Sequence, residues 1–138
     1  MSRVKNRDTN LELLVRSALR KAGRRFATND RRLPGSPDVV FHREKVAVFI
    51  HGDFWHGWRF PVWRHAVSRF WQDKIQENRN RDRRNVAKLR QRGWYVIRLW
   101  QHEVESDLAG CVDRVLTELR SRSADRSVRR HAATKLRR

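Results

Sequence analysis

The hydrophobic positions of the chain predict three helices. Apolar residues recur at helical spacing from Thr9 to Ala22 and again from Ala109 to Arg122, so each segment has one face suited to a core. A longer helix is predicted from Ser68 to Arg92, where Ser68 can cap the first turn. A glycine follows the first and the longest of these segments, as is typical of helix C-termini.

Three apolar runs of strand length lie between the helices. Asp38–Phe41 and Lys45–Ile50 are separated by a short polar connection, which favours an antiparallel pair. Neither run alternates clearly between apolar and polar residues, so both are predicted to be covered on two faces. Trp94–Trp100 is the third run, and Arg24–Phe26 is a candidate edge strand. The order of elements predicts an α/β fold in which a small mixed β-sheet is flanked by helices.

The remaining segments divide the chain into one domain and two basic ends. The predicted elements fall within residues 9–122, which is enough for a single modest domain. Residues 1–8 are interpreted as a basic N-terminal arm, either solvated or placed in a DNA groove. Residues 123–138 are mainly charged and small, and we expect a disordered basic tail. Residues 57–67 form an aromatic-rich loop that is either a satellite core or a DNA-contact surface.

Charge narrows the class of partner. The chain has 33 Lys and Arg against 15 Asp and Glu in 138 residues, a formal net charge of +18. Such an excess favours a polyanionic partner, and nucleic acid is the first expectation. The sequence shows no signal peptide and no run of membrane-spanning length, so we expect a cytoplasmic, nucleoid-associated protein with no membrane partner. Cys111 is the only cysteine, which excludes an intrachain disulfide and a cysteine-built zinc site.

Residues that can perform chemistry cluster where the second predicted strand ends. His51 and His56 follow that strand, and Asp38 begins its neighbour. A carboxylate can hold a divalent cation that stabilises charge at a phosphate, and a histidine can accept a proton from water at neutral pH. The backbone carbonyl of Ile50 can also ligate a hard cation if the strands are adjacent. We therefore predict a metal-dependent DNA-cutting centre at this end of the strands.

Several of these residues also have structural explanations. The segment from Thr9 to Glu12 matches a capping box, so Glu12 either caps the first helix or faces the metal centre. Phe54 and Trp55 either pack beneath the following aromatic loop or project as wedges that part a base step. A zinc site is a weaker alternative, because the spacing of its ligands matches no closed-site pattern. Those ligands would be His51, Asp53, His56 and His102.

Separate segments of the chain, in the same order, resemble the very-short-patch repair (Vsr-like) endonucleases, which nick DNA beside T:G mismatches. The similarity extends from about Met1 to Glu105. It implies a restriction-endonuclease-like core with a magnesium site. The segments that carry it are Met1–Lys5, Asp8–Arg16, Leu33–Asp38, Val48–Gly57, Phe70–Ile75, Asn78–Arg84 and Gly93–Trp100.

The resemblance implies roles for the residues of the predicted centre. The family's metal-binding aspartate falls on Asp38, and its carbonyl ligand falls on Ile50. Its two active-site histidines fall on His51 and His56, of which His56 is the candidate general base. We therefore expect Mg²⁺ as the cofactor, with Asp38 and the Ile50 carbonyl as its ligands.

The resemblance also extends the site beyond these two strands. The family's N-terminal active-site glutamate falls on Glu12, which favours the active-site role over helix capping. The acidic residue of its long helix falls on Asp82. The aromatic residues that enter the duplex beside the mismatch fall on Phe54, Trp55 and Trp71.

The chain departs from the family in two places. Well-known members hold a structural zinc with cysteines and a histidine, and three of the four ligand positions have lost those residue types here. The four positions are Asp53, Trp58, Phe60 and His102. We expect no structural zinc, a hydrogen bond between Asp53 and His102, and aromatic side chains in the vacated space. Family members also usually carry residues before the position of Met1 that help to grip the mismatch, so their absence bears on mismatch selectivity.

These observations lead to one function hypothesis and two alternatives. The first is a Mg²⁺-dependent endodeoxyribonuclease that nicks one strand of double-stranded DNA beside a T:G mismatch in DNA repair, with other repair proteins as candidate partners. The second is a mismatch- or structure-binding DNA protein without catalysis, for which loss of Asp38 or His56 would be the signature; both are present. The third is a nuclease without mismatch preference.

Overall fold

The computed structural model describes the backbone of residues 2–136 and the side chains of residues 9–125. The helices are α1 (Ser2–Lys21), α2 (Phe60–Trp63), α3 (Arg69–Gln91), α4 (Gln101–Ser106) and α5 (Leu108–Leu136). The strands are β1 (Val39–Phe41), β2 (Val46–His51) and β3 (Tyr95–Trp100), and a 3₁₀ turn, Arg64–Ala66, follows α2. Within this part of the chain, no helix combines the length and apolar character needed to cross a membrane.

β2 is the central strand of a three-stranded mixed sheet, as predicted. β1 pairs with it in antiparallel register, and β3 pairs with it in parallel register, so that His51 lies opposite Trp100. A parallel pair needs a crossover connection, and α3 lies in the segment that supplies it. Every residue of β1 and β2 is buried, which confirms that these strands are covered on both faces.

Helices cover the two faces of the sheet. One face packs against α1 and α5, and its core includes Leu11, Val15, Val48, Leu99, Val115 and Leu119. The other face packs against α3, where Leu89 joins Val40, Ala47, Phe49 and Trp94. Because α1 and α3 lie on opposite faces, each can bring side chains to the end of β2 from its own side.

The first helix is longer than predicted. α1 begins at Ser2, so the backbone of residues 2–8 belongs to the helix rather than to a separate arm, while Met1 lies outside the described residues. Thr9 lies beyond the second turn, so the interpretation of Thr9–Glu12 as a capping box is wrong. The physical reason is that residues 2–8 contain no proline or glycine that would stop the helix.

The end of the chain also differs from the prediction. α5 continues to Leu136, so the tail predicted to be disordered from Ser123 is helical in its described part, and residues 137–138 lie outside it. This segment again lacks proline and glycine. α4 was not predicted. It begins where Glu103 Oε1 accepts a hydrogen bond from the Trp100 N–H (3.2 Å), and it buries Val104.

The middle elements follow the prediction more closely. Ser68 caps α3, since its Oγ accepts a hydrogen bond from the Trp71 N–H (3.5 Å). The loop predicted over residues 57–67 contains the short helix α2 and the 3₁₀ turn. The candidate edge strand appears only as an isolated bridge between Ala27 and Val40.

Candidate active site

The start of β1 and the end of β2 meet at one edge of the sheet. In the antiparallel register Val39 lies opposite Val48, so Asp38, the residue before β1, continues opposite Phe49 and next to Ile50. Asp38 Oδ2 accepts a hydrogen bond from the Ile50 N–H (2.7 Å), which fixes the carboxylate against the last residues of β2. The predicted adjacency of Asp38 and Ile50 is therefore confirmed, while the cation that they would share remains a prediction.

Helix α1 brings a second carboxylate to Asp38. The apolar positions of α1 face the sheet, and Glu12 and Arg16 lie one turn apart beside that buried face. Arg16 Nη1 lies 3.5 Å from Glu12 Oε2. Burial raises the pKa of Asp38 to about 8; the hydrogen bond from Ile50 opposes this, and the charge and hydrogen bond of Glu12 add to it. Two carboxyl groups that crowd one place disfavour double ionisation. A divalent cation would relieve that repulsion.

The loop after β2 carries His56 to α3. Gly57 adopts a left-handed backbone (φ 68°), and a Cβ there would lie 2.9 Å from Ile75 and 2.7 Å from Arg79. Glycine therefore permits the close approach of this loop to α3. His56 Nδ1 lies 2.6 Å from Asp82 Oδ2. A carboxylate oxygen accepts hydrogen bonds, so this contact favours the tautomer of His56 that carries its proton on Nδ1.

His51 is buried between aromatic rings. Its ring lies 4.0 Å from that of His56, 5.2 Å from Trp100 and 5.7 Å from Phe49, centroid to centroid. Burial, followed by the charges of His56 and Arg98, lowers the pKa of His51 well below its ordinary value, so the ring is neutral at pH 7. Among the described residues, its Nε2 atom is buried without a hydrogen-bond partner. A neutral, unpartnered nitrogen can bind a substrate oxygen, a water molecule or a metal ion.

Ile50 and His51, which are consecutive in β2, thus bring two sets of polar groups together. Glu12 and Asp38 lie on the side of Ile50, and the side of His51 carries His56 and Asp82. One ligand atom from each of His51, His56 and Asp82 lies within 4.8 Å of the others. The carboxylates and the Ile50 carbonyl offer only oxygen, which suits a hard cation such as Mg²⁺, whereas the histidine set offers mainly nitrogen.

The predicted wedge aromatics form a contiguous surface. Phe54 stacks on Trp63 (5.6 Å, 20°), and Trp55 meets Trp71 edge to face (5.4 Å). Phe54 remains 36% exposed, and the adjoining Phe70 is 63% exposed. These rings pack on one another and still face solvent, so the packing alternative is confirmed in part, while the wedge role stays a prediction. We call Phe54, Trp55, Trp63 and Trp71 the aromatic ridge.

The positions of the lost zinc ligands form a different local structure. His102 Nδ1 lies 3.0 Å from Asp53 Oδ1, as predicted. The Trp58 ring packs against those of His102 (4.6 Å) and Trp100 (5.0 Å). Phe60 is only 1% exposed. Aromatic contacts therefore connect the loop to β3 and α4, as predicted for the vacated space.

Two arginines in the site were missed at the sequence level. Arg16 Nη2 donates a hydrogen bond to the Asp38 carbonyl (2.9 Å), so this side chain joins α1 to β1. Arg98 Nη2 lies 3.9 Å from Asp82 Oδ2, and its guanidinium group lies 4.9 Å from the Trp100 ring. The only sequence signals were an arginine one turn after Glu12 and a charged residue inside an apolar strand. In a chain with 33 basic residues, such signals are weak.

Comparison with known proteins places this geometry in context. The model of the family "DNA mismatch endonuclease Vsr" matches residues 1–61. The type II nicking enzyme V.XorIIP of Xanthomonas oryzae pv. oryzae is 40% identical over 117 residues, covering 83% of this chain and 85% of the relative. V.HpaIIP of Haemophilus parainfluenzae, also a type II nicking enzyme, is 39% identical over 103 residues, covering 72% and 73%. DNA mismatch endonuclease Vsr of Escherichia coli is 36% identical over 103 residues, covering 73% and 66%.

Proposed function

Because the chain belongs to the Vsr family and is a DNA endonuclease, we propose that it nicks one strand of duplex DNA beside a T:G mismatch, with Mg²⁺ as cofactor. Its substrate would be chromosomal DNA in the cytoplasm, and the nick would begin a repair event. The observation that carries the proposal is the meeting of the Glu12–Asp38 carboxyl pair with His51, His56 and Asp82 at the end of β2.

The residues at this site fit a magnesium ion. Asp38 and the Ile50 carbonyl would hold it, and the nearby Glu12 carboxyl group supplies the second negative charge. The raised pKa of Asp38, about 8, reflects burial first and the proximity of Glu12 second, and the charge of Arg16 only partly opposes these effects. Bound Mg²⁺ supplies positive charge that stabilises the phosphate in the transition state.

His56 is the proposed general base. With the proton on Nδ1 held by Asp82, its Nε2 atom carries the lone pair that can take a proton from water. The water oxygen then forms a bond to phosphorus as one phosphorus–oxygen ester bond breaks, and the proton taken by His56 returns through solvent to the leaving oxygen. His51, which is neutral, offers Nε2 to hold a phosphate oxygen or the water.

Mismatch selectivity would come from the aromatic ridge. A T:G pair stacks less favourably than a matched pair, so inserting an apolar wedge beside it costs less. The relative from Escherichia coli carries "mismatch" in its name, whereas several others are named only as type II nicking enzymes. Nicking without mismatch preference is therefore the second candidate function.

The decisive experiment compares a labelled T:G duplex with its T:A counterpart, each in Mg²⁺ and in EDTA. We expect nicking only of the T:G duplex and only with Mg²⁺. Equal nicking of both duplexes would establish the nuclease without mismatch preference. Tight mismatch binding without nicking would favour a binding protein. Asp38→Ala should bind the T:G duplex without cutting it, and normal cutting by that variant would contradict the metal assignment.

A further inference from the structure

A pocket of about 410 Å³ opens beside His56 on the face of the sheet that α3 covers. Among the residues that the structure describes, its charged lining consists of arginines, with no carboxylate. Trp58 and Trp100 supply aromatic wall. We call this space the arginine pocket, and its arginines are Arg59, Arg79, Arg83, Arg90 and Arg98.

Three separate segments bring these guanidinium groups together. Arg79, Arg83 and Arg90 lie on one face of α3, since residues four and seven apart in a helix point the same way. Arg98 projects from β3 on the same side as Trp100, because alternate strand residues share a face. Arg59 belongs to the loop after β2, and its guanidinium group lies 5.6 Å from the Trp58 ring.

A solvated charge run on α3 does not account for this arrangement. The Arg98 side chain is only 33% exposed, and the Asp82 carboxylate lies 3.9 Å from it, beyond hydrogen-bonding distance. Its Nε atom is buried without a partner among the described residues. Burial lowers the pKa of Arg98; Asp82 opposes this, and the positive charges of Arg90, Arg79 and Arg83 add to it. Mutual repulsion of this kind is relieved when an anion binds.

We propose that the arginine pocket binds a phosphate group of the DNA strand next to the scissile phosphate, an inference that rests on the proposed function. Guanidinium groups donate paired hydrogen bonds that match phosphate oxygens, and a lining without carboxylates disfavours cations. His56 borders the pocket, so a phosphate held there lies beside the reacting group. Successive phosphates of one strand are about 3.4 Å apart along the duplex axis, so the neighbouring phosphate is within reach.

Two sources offer the same phosphate oxygens. One is a backbone phosphodiester of the intact substrate, which we favour because it is present before the cut. The other is the terminal phosphate of a nicked strand. The pocket would hold the strand in register in the first case and retain the product in the second.

The first test uses inorganic phosphate and needs no catalysis. The pocket variant is Arg83→Gln/Arg90→Gln, in which both residues are exposed on α3, so folding should be unaffected. The control is Arg25→Gln/Arg120→Gln, which removes two exposed arginines outside the pocket. Phosphate should raise the midpoint of thermal unfolding of the wild type and the control, and most of that shift should be absent from the pocket variant. Equal shifts in all three proteins would overturn the proposal.

The second test measures duplex binding in EDTA as a function of salt. Each lost phosphate contact reduces the magnitude of the slope of log K against log salt concentration by about 1. The slope of the pocket variant should therefore be shallower than that of the wild type by roughly 1 to 2, and the slope of the control should change less. Weaker binding of an intact duplex assigns a backbone phosphate. A loss confined to a nicked duplex with a 5′-phosphate, compared with a 5′-hydroxyl, assigns the terminal phosphate. Equal losses in the pocket and control variants would overturn the assignment, whereas phosphate binding without any nicking activity would refute only the proposed function.

Discussion

Nδ1 of His56 lies 2.6 Å from Oδ2 of Asp82, and this contact joins the loop after β2 to the middle of α3. The two residues are 26 positions apart in the chain. The approach depends on Gly57, where a side chain would collide with α3. The His56–Asp82 pair therefore links the catalytic proposal to the way the loop packs.

Replacing Asp82 with Asn should lower the rate of nicking with little change in DNA affinity. An amide can donate to Nδ1, which would favour the tautomer that carries its proton on Nε2 and cannot act as a base. We expect a loss of about 10²- to 10⁴-fold in the single-turnover rate, the range typical of general-base catalysis. The pH profile of that rate should also lose the limb that reports the base.

The matched control for this prediction is Asp73→Asn on the same helix. Asp73 is exposed and pairs only loosely with Arg69, at 3.8 Å. It should nick at the wild-type rate. If Asp82→Asn lost DNA affinity to the same extent as rate, or if Asp73→Asn were equally slow, a role for Asp82 in positioning His56 would be excluded.

The raised pKa of Asp38 predicts a pH dependence of stability in EDTA. The folded protein retains a proton on Asp38 up to about pH 8, whereas the unfolded chain releases it near the ordinary pKa of 3.8. Folding is therefore coupled to the binding of a proton by Asp38 between pH 3.8 and about pH 8. The stabilisation from this proton is full below pH 3.8 and is lost as the pH rises towards about 8. Relative to Asp38→Asn, the free energy of unfolding of the wild type should fall between these pH values.

Urea unfolding at a series of pH values measures this difference. The control is Asp113→Asn, which removes an exposed carboxylate on α5. Its free energy of unfolding should depend on pH in the same way as that of the wild type. Mg²⁺ at neutral pH should stabilise the wild type more than Asp38→Asn, because the cation in the proposed site would bind the ionised carboxylate. Parallel curves for the wild type and Asp38→Asn would contradict the raised pKa.

The sequence predicted the strands and their meeting point more securely than the ends of the helices. Apolar runs such as Val46–Ile50 specify a buried strand through their own composition. The position of Asp38 beside the end of β2 could also be predicted, because a strand in a small sheet has few possible pairing partners. The ends of α1 and α5 were missed because polar, basic residues fit a solvated helix as well as a disordered segment. Arg98 was missed because its significance depends on three segments that meet only in the folded protein.

Trp55→Ala should reduce nicking of the mismatched duplex more than any nicking of the matched one. Trp55 packs edge to face on Trp71, so truncation removes part of the aromatic ridge without opening the main core. Stacking of an aromatic ring on a base contributes about 1–3 kcal/mol, roughly 5- to 150-fold in affinity. Tyr95→Ala is the matched control, since Tyr95 is an exposed aromatic residue opposite Val46, at the other end of β2. An equal loss on both duplexes would indicate a packing role for Trp55.

Aromatic packing at the positions of the lost zinc ligands should stabilise this region without a zinc ion. Phe60 is 1% exposed, so Phe60→Ala should cost about 3–5 kcal/mol of unfolding free energy, the usual cost of a large-to-small change at a buried aromatic site. Asp53→Ala should cost only about 0.5–1 kcal/mol, because the hydrogen bond to His102 is partly exposed to solvent. In buffer without Mg²⁺, a chelator should leave the free energy of unfolding of the wild type unchanged, as measured by urea titration. One equivalent of zinc in the purified protein, or destabilisation by the chelator, would show that a metal and not aromatic packing stabilises this region.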